Sequence, residues 1–129
     1  MRFRSSYYTY TLPQCDYFFT FHHGCNLGKG GKGKPKNTHI FPIPDAFRGK
    51  YRGEHTADKY AREVQFLIDE IHQQNKKVGG FIIEPIISCG GQIELPKEFL
   101  QQAYKKVKKA GGFCISDEVQ TGIGRMGKT

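Results

Sequence analysis

The feature of the sequence that most constrains the fold is a pair of apolar runs that each end in a carboxylate. The runs are Gly80 to Ile83, followed by Glu84, and Gly112 to Ser116, followed by Asp117. The segment between them has the periodicity of a helix, and a strand–helix–strand crossover pairs its strands in parallel. Both acids then lie at one edge of the sheet, where open α/β sheets bind their ligands.

Two segments are predicted to be amphipathic helices. From Thr56 to about Asn75, apolar residues recur at i, i+3, i+4 and i+7, and charged residues occupy the opposite side. A second helix is expected between Pro96, which suits a first helical turn, and Gly111, which suits the position just past a helix end. Helices and strands together predict an α/β fold with a mostly parallel sheet.

The remaining segments give weaker signals. Short strands are predicted at Tyr7 to Leu12, at Tyr17 to Phe21 and at Thr38 to Ile43. The stretch SCGGQIELP, which follows Pro85 after two isoleucines, is predicted to be a loop. Its glycine pair permits positive φ or a close approach of the backbone to a ligand.

Length and composition limit the kind of protein. The chain has 129 residues, of which 37% are hydrophobic, so one domain with a modest core is expected. No run of about 18 apolar residues is present, which predicts that no segment spans a membrane. The polar, tyrosine-rich start argues against a secretory signal. Four widely spaced cysteines without companion histidines predict reduced thiols, no metal site and a cytoplasmic location.

The net charge of +8 is unevenly distributed. Residues 27–36 alone hold four lysines and four glycines. Because this loop has no interleaved aromatic residues, a solvated surface is favoured over nucleic-acid binding. A second basic stretch, Asp45 to Arg52, is either a connector or a rim that meets an anionic substrate group through Arg48, Lys50 or Arg52.

Some glycine patterns resemble nucleotide-binding loops. The first pattern runs from Gly28 to Lys34. It is followed by Pro35, where a P-loop needs Ser or Thr, so a P-loop is excluded here. Gly122 to Gly127 matches the dinucleotide fingerprint, and Gly122 to Thr129 matches the P-loop. Both motifs require a strand that runs into the first glycine and a helix after the last. Here DEVQT precedes Gly122 and the sequence ends at Thr129. A P-loop nucleotide-binding module is retained as the alternative from another functional class.

Three stretches carry a resemblance to a known family. EPIISCGGQ, the spacing through ELPKEFLQQAYKKVKKAGG, and above all SDEVQTGIGRMGK resemble the class III aminotransferases, which are pyridoxal-phosphate enzymes of fold type I. The resemblance runs from about Gly30 to Thr129. It implies a partial three-layer large domain with an incomplete, mostly parallel sheet. Residues 1–26 do not resemble the family, and residues 27–129 are expected to form part of its pyridoxal-phosphate-binding domain.

The resemblance assigns roles to three residues. Asp117 matches the carboxylate that keeps the pyridine nitrogen of pyridoxal 5'-phosphate protonated, which deepens the cofactor's electron sink. Gln120 matches the residue that hydrogen-bonds the phenolic oxygen of the ring. Glu84 matches the first residue of the family's Glu-Pro motif and helps to organise the same pocket. The alternative for Asp117 alone is an acidic cap of a strand, but Gln120 and Glu84 in register argue against it.

One departure from the family pattern affects the predicted activity. Many class III transaminases carry a second glutamate five residues after the first, where this sequence has Cys89. Together with the PDAFRGKYR stretch, this is similar to the branch that contains ethanolamine-phosphate and phosphohydroxylysine phospho-lyases. The predicted function is a fragment of a class III aminotransferase. A phospho-lyase that acts on a phosphorylated amine, such as ethanolamine phosphate, is the alternative.

A second departure concerns the family's Schiff-base lysine, which lies on a later strand. Lys128 lies in the GRMGK loop and does not match it. The 129 residues alone are therefore expected to lack turnover. The whole enzyme is expected to be a homodimer that acts on a small-molecule amine or amino acid, without nucleic-acid or membrane partners. A poorly folding remnant is a third hypothesis, because ordering each residue costs about 1–2 kcal/mol of backbone entropy.

Overall fold

The computed structural model describes the backbone of residues 17–20 and all atoms of residues 37–88 and 91–127. These residues form two helices and six strands. In chain order they are β1 Tyr17–Thr20, β2 Thr38–Ile40, α1 Thr56–Gln73, β3 Val78–Ile83, β4 Ile86–Ile87, β5 Ile93–Glu94, α2 Phe99–Lys109 and β6 Phe113–Ser116.

One parallel sheet contains four of the strands, in the order β2-β1-β3-β6. Strand β1 pairs with β2 and with β3, and β3 pairs with β6, each time in parallel. Ile83 aligns with Ser116, so Glu84 and Asp117 are the first residues beyond two neighbouring strand ends. The predicted α/β class and the predicted crossover between β3 and β6 are confirmed.

Strand β1 occupies an interior position of this sheet, between β2 and β3. Its four residues confirm the short strand predicted around residues 17–21. They come from the segment 1–26, which is expected to lie outside the family domain, and the division at residue 26 stays a prediction. The predicted strand at Tyr7 to Leu12 and the lysine-rich loop 27–36 lie outside the described residues.

Both helices lie on the same face of the sheet. Helix α1 connects β2 to β3 and α2 connects β3 to β6, so the two crossovers move in the same direction across the sheet. Right-handed connections then place both helices on one side, where α1 and α2 contact each other. The predicted apolar faces are confirmed. Their buried residues are Thr56, Tyr60, Ala61, Val64, Ile68 and Ile71 in α1, and Phe99, Ala103 and Val107 in α2.

The C-terminal end of α2 shows how local chemistry sets a helix boundary. The amide of Gly111 donates to Lys108 O, and the amide of Gly112 donates to Val107 O, both at 3.0 Å. These two hydrogen bonds form a Schellman motif, whose first residue past the helix needs positive φ. Gly111 has a φ of 84° and fills that position as predicted.

The core is centred on Phe41, which follows β2 and is 1% exposed. Its ring stacks on Phe99 of α2 at a centroid distance of 5.7 Å. It also meets Phe81 of β3 and Tyr60 of α1 edge-on, at 6.1 and 6.3 Å. One side chain thus joins the end of β2 to three other elements. The sequence pattern puts Phe41 in a predicted strand and gives no sign of this central position.

The predicted loop after Pro85 is wrong in one respect, because it contains a hairpin. Strands β4 and β5 pair in antiparallel fashion, with Ile87 aligned with Ile93, and Ile87 is fully buried. Two residues per strand are too few to produce an alternating pattern, which explains why the sequence gives no strand signal here. This β4–β5 hairpin, residues 86–94, follows directly from the carboxyl end of β3.

At the edge strand β6, the side of the sheet opposite the helices is apolar and accessible. Cys114 lies on the helix side, because its Sγ donates to Tyr104 O of α2 at 3.8 Å. Strand alternation turns its neighbours Phe113 and Ile115 to the other side, where they are 58% and 38% exposed. Parallel strands are usually buried on both faces. At β6, the described residues therefore leave the side opposite the helices open.

The loop after β2 folds back on α1 through the hydroxyl group of Tyr60. This hydroxyl donates to Asp45 O at 3.2 Å and accepts from the amide of Tyr51 at 3.3 Å. Gly49 lies against the same group, and a Cβ at this position would overlap both the Tyr60 hydroxyl and Asp45 O. A glycine is needed here because only the missing side chain permits this approach.

The same loop is joined to α1 by the carboxylate of Glu63. Lys50 Nζ donates to Glu63 Oε1 at 2.7 Å, and the Tyr51 hydroxyl donates to the same oxygen. Partial burial acts to raise the pKa of Glu63, but the hydrogen bonds from Lys50 and Tyr51 outweigh it, and this pKa lies below its ordinary value. The hydrogen bond to Glu63 raises the pKa of Lys50. Lys50 is therefore committed to a contact within the fold.

Replacing Phe41 by alanine is expected to destabilise the chain severely. The change removes a buried ring that packs on three others, and substitutions of this kind cost about 3–5 kcal/mol. Urea unfolding followed by far-UV circular dichroism measures the loss. Phe47→Ala is the matched control, because Phe47 is 87% exposed, and it is expected to cost about 0.5 kcal/mol or less. Equal effects of the two substitutions would contradict the core described above.

Glu63→Gln is expected to lower stability more at neutral pH than in acid. Because the pKa of Glu63 is lower in the folded chain, its stabilisation is present above the unfolded pKa of about 4.3 and is lost as the pH falls through the folded pKa. Urea midpoints of the parent and the variant at pH 7 and pH 3 measure the difference. Glu70→Gln, at an exposed position of α1, is the control and is expected to show no such convergence. An equal gap at both pH values would refute this role of Glu63.

Candidate functional site

The carboxyl ends of β3 and β6 bring two of the predicted residues together. Glu84 directly follows β3 and Asp117 directly follows β6. The amide of Asp117 donates to Ile83 O at 2.9 Å, which extends the hydrogen-bond ladder one step beyond β6. Since neighbouring strands lie about 4.8 Å apart, the two acids start side by side at the same edge.

Asp117 is half-buried and only partly engaged. Its Oδ1 accepts a hydrogen bond from the amide of Val119 at 3.2 Å. Its Oδ2 has no hydrogen-bond partner among the described residues. A carboxylate oxygen in this position can accept a hydrogen bond from a ligand, and its charge favours the protonated form of a basic group beside it.

Glu84 makes a contact that its sequence position does not reveal. Its Oε2 accepts hydrogen bonds from the amide of Ser88 at 2.9 Å and from the Ser88 hydroxyl at 3.1 Å. Ser88 begins the turn of the β4–β5 hairpin, so the carboxylate is joined to that hairpin. Ser88 is the residue near this edge that sequence reasoning missed, because a serine four residues after a glutamate carries no distinctive signal.

Gln120 lies three residues after Asp117, in the turn that follows β6. It belongs to a turn in which the amides of Thr121 and Gly122 donate to Glu118 O at 3.2 and 2.8 Å. Its side chain is exposed. No hydrogen bond between described residues connects it to Asp117. Its membership of the same site as Glu84 and Asp117 stays a prediction.

The three cations of the predicted rim have different environments. Lys50 is bound to Glu63, and Arg52 donates to Gly49 O and Arg48 O, both at 3.4 Å. The Arg48 side chain is exposed and has no hydrogen-bond or ion-pair partner within residues 37–88 and 91–127. Of these three, Arg48 is the cation that remains available to an anionic group.

The glycine-rich tail does not have the layout of a P-loop in its described part. Strand β6 ends at Ser116, and a series of turns occupies residues 119–126. Positive φ values occur at Ile123, Gly124 and Gly127. No strand therefore runs directly into Gly122, as the motif requires. The last two residues of the pattern, Lys128 and Thr129, lie outside the described residues.

The described part of the chain contains neither a candidate metal centre nor a candidate membrane-spanning helix. Within residues 17–20, 37–88 and 91–127, no group of three or more His, Cys, Asp and Glu side chains is arranged to hold a metal ion. Neither helix in these ranges has the length and apolar character that crossing a membrane requires.

Comparison with known proteins identifies relatives over most of the sequence. A profile of the family described as aminotransferase class III matches residues 23–129. The chain is 39% identical over 103 residues to alanine–glyoxylate aminotransferase 2-like of Drosophila melanogaster. It is 32% identical over 121 residues to ethanolamine-phosphate phospho-lyase homolog 1 of Caenorhabditis elegans. These alignments cover 76% and 85% of this chain but only 21% and 25% of the relatives.

Solved structures show the same relationship. An omega transaminase from Pseudomonas jessenii in complex with PMP superimposes with a TM-score of 0.69 at 26% identity, over 88% of this chain and 28% of that chain. This similarity confirms the predicted fold class. Because the family profile covers most of the sequence and both curated relatives exceed 30% identity, the chain belongs to the class III aminotransferase family.

Proposed function

We propose that this chain is part of the cofactor-binding large domain of a class III aminotransferase, and that Asp117, Gln120 and Glu84 line the site for pyridoxal 5'-phosphate. The observation that carries the proposal is the side-by-side position of Glu84 and Asp117 at the ends of β3 and β6. A half-buried carboxylate with an unused oxygen, at the ligand-binding edge of a parallel sheet, is placed for a ligand rather than for the core.

The residues present fit one end of the cofactor. Asp117 Oδ2 is an acceptor without a partner among the described residues, as a protonated ring nitrogen needs. Gln120 offers an exposed amide that can donate to the phenolic oxygen of the ring. Glu84, held by Ser88, borders the same edge. When bound, pyridoxal phosphate supplies an electron sink for bonds broken at the amine-bearing carbon of a substrate.

The part assigned to Asp117 is to hold a proton on the ring nitrogen. A nearby negative charge raises the pKa of a basic nitrogen, and the effect is greater where water is partly excluded. Asp117 is half-buried, so its charge is less screened than that of a fully exposed carboxylate. Gln120 is neutral and orients the ring without changing the charge of the site.

For the whole protein we propose a small-molecule amine or amino acid as substrate, a homodimer as assembly, and a cytoplasmic location. The substrate class and the assembly follow the family to which the chain belongs. The location rests on the cysteines, of which Cys114 is a free thiol whose pKa is raised by burial. Burial disfavours the thiolate, which is the nucleophilic form of cysteine.

A phospho-lyase that acts on a phosphorylated amine is the second candidate. The relative from Caenorhabditis elegans named as an ethanolamine-phosphate phospho-lyase homolog supports it. The guanidinium of Arg48 also supports it, because it is exposed on the loop that leaves the carboxyl end of β2 and has no partner among the described residues. Guanidinium groups bind phosphate through paired hydrogen bonds.

Asp117→Asn is expected to weaken binding of pyridoxal phosphate by about tenfold or more, because a charge-assisted hydrogen bond becomes a neutral one. Equilibrium dialysis against the cofactor measures the dissociation constants of the parent chain and the variant. Glu118→Gln is the control, since Glu118 is an exposed neighbouring carboxylate and its substitution is expected to leave affinity unchanged. Equal affinities of the parent and Asp117→Asn would remove Asp117 from the site.

The 129 residues alone are expected to bind the cofactor without turnover, because no residue of the sequence matches the lysine that binds it covalently in this family. Borohydride reduction followed by mass spectrometry is expected to find no lysine specifically modified. Incubation with the cofactor and ethanolamine phosphate is expected to release no phosphate, and incubation with amino donors to transfer no amine. Enzymatic phosphate release would favour the phospho-lyase, amine transfer would favour the aminotransferase, and either would overturn the expected inactivity.

A further inference from the structure

Ser88 makes a contact that the roles assigned above do not explain. Its amide and its hydroxyl both donate to Glu84 Oε2, at 2.9 and 3.1 Å. Hydrogen bonds to an ionised carboxylate are about twice as strong as those between neutral groups. Two such bonds to one oxygen restrict rotation of the carboxylate, so Glu84 is held in one orientation at the end of β3.

The same residue determines where the β4–β5 hairpin turns. Ser88 directly follows β4, and its carbonyl accepts hydrogen bonds from the amides of Gly91 and Gln92, both at 3.1 Å. These two residues have φ values of 125° and 56°, which most residues avoid. Ser88 thus uses its carbonyl to shape the turn and its two donors to attach the turn to Glu84.

The body of the hairpin has an anchor that does not depend on this contact. Ile87 is fully buried in the core and aligned with Ile93, which packs against the same core. Apolar packing therefore holds the two strands in place. The Ser88 hydroxyl adds a connection between the turn and the carboxylate, and its loss leaves the packed part of the hairpin intact.

We propose that Ser88 is a positioning residue of the cofactor site, which orients Glu84 and ties the turn of the β4–β5 hairpin to the sheet edge beside Asp117. The inference rests on the proposed function, because it assigns the purpose of this orientation to cofactor binding. Ser88 acts through Glu84 and through the turn, and it does not itself contact the cofactor. Its hydroxyl thereby connects the turn of the β4–β5 hairpin to Glu84 at the end of β3.

The first arm of the test measures the contact without the cofactor. Hydrogen exchange of the Ser88 amide, observed by nuclear magnetic resonance, is expected to be slow in the parent chain. In Glu84→Ala it is expected to accelerate by about tenfold or more, because the acceptor is gone. Exchange as fast in the parent as in Glu84→Ala would overturn the inference, whatever the outcome of cofactor binding.

The second arm measures the consequence for the site. Ser88→Ala is expected to weaken binding of pyridoxal phosphate by about three- to tenfold, with little change in the urea midpoint. Ser88→Thr retains the hydroxyl and is expected to bind within about twofold of the parent. Gln101→Ala, at an exposed position of α2, is the matched control and is expected to change neither quantity.

The outcomes separate the two proposals. Weaker binding in Ser88→Ala with recovery in Ser88→Thr supports the positioning role. Unchanged affinity in Ser88→Ala, or a loss matched by a large fall in stability, would overturn it. If the parent chain does not bind the cofactor at all, the proposed function fails, and the exchange measurement alone decides whether Ser88 holds Glu84.

Discussion

The packing of aromatic rings around Phe41 is the interaction on which the rest of the described structure depends. Phe41 meets one ring from each of α1, β3 and α2. These contacts hold both helices against one face of the sheet. Within the sheet, the backbone pairing of β3 with β6 sets the positions of Glu84 and Asp117. The side-chain contacts at the edge then orient groups that the fold has already placed.

Sequence reasoning predicts the elements with a clear period and misses those without one. Helix α1 and strand β3 are found to within two residues at each end, since each carries an apolar pattern long enough to identify. The position of Gly111 also follows, because a helix end imposes a specific backbone conformation. The β4–β5 hairpin is missed because two residues per strand have no period. The central position of Phe41 is missed because burial of a single ring next to a proline depends on the tertiary structure.

The candidate site likewise contains features that the sequence predicts and features that it does not. The placement of Glu84 and Asp117 follows from the order of strands and helices, since parallel strands end at one edge. The contacts of Ser88 and Lys50 do not follow, because each donor has several acidic residues within reach along the chain. Only the folded backbone selects Glu84 for Ser88 and Glu63 for Lys50. Of the predicted cation rim, Lys50 is bound to Glu63 within the fold. Arg48 has no side-chain partner among the described residues.

The interior place of β1 has a consequence for the newly made chain. Phe18 aligns with Thr38 of β2 on one side, and Phe19 aligns with Phe81 of β3 on the other. Ribosomes add about 5–20 residues per second. Strand β1 therefore leaves the exit tunnel seconds before β3, with which it pairs. Pairings this distant in sequence form slowly. During translation, β1 therefore has unpaired backbone groups that strands of other chains can bind until β2 and β3 have been synthesised.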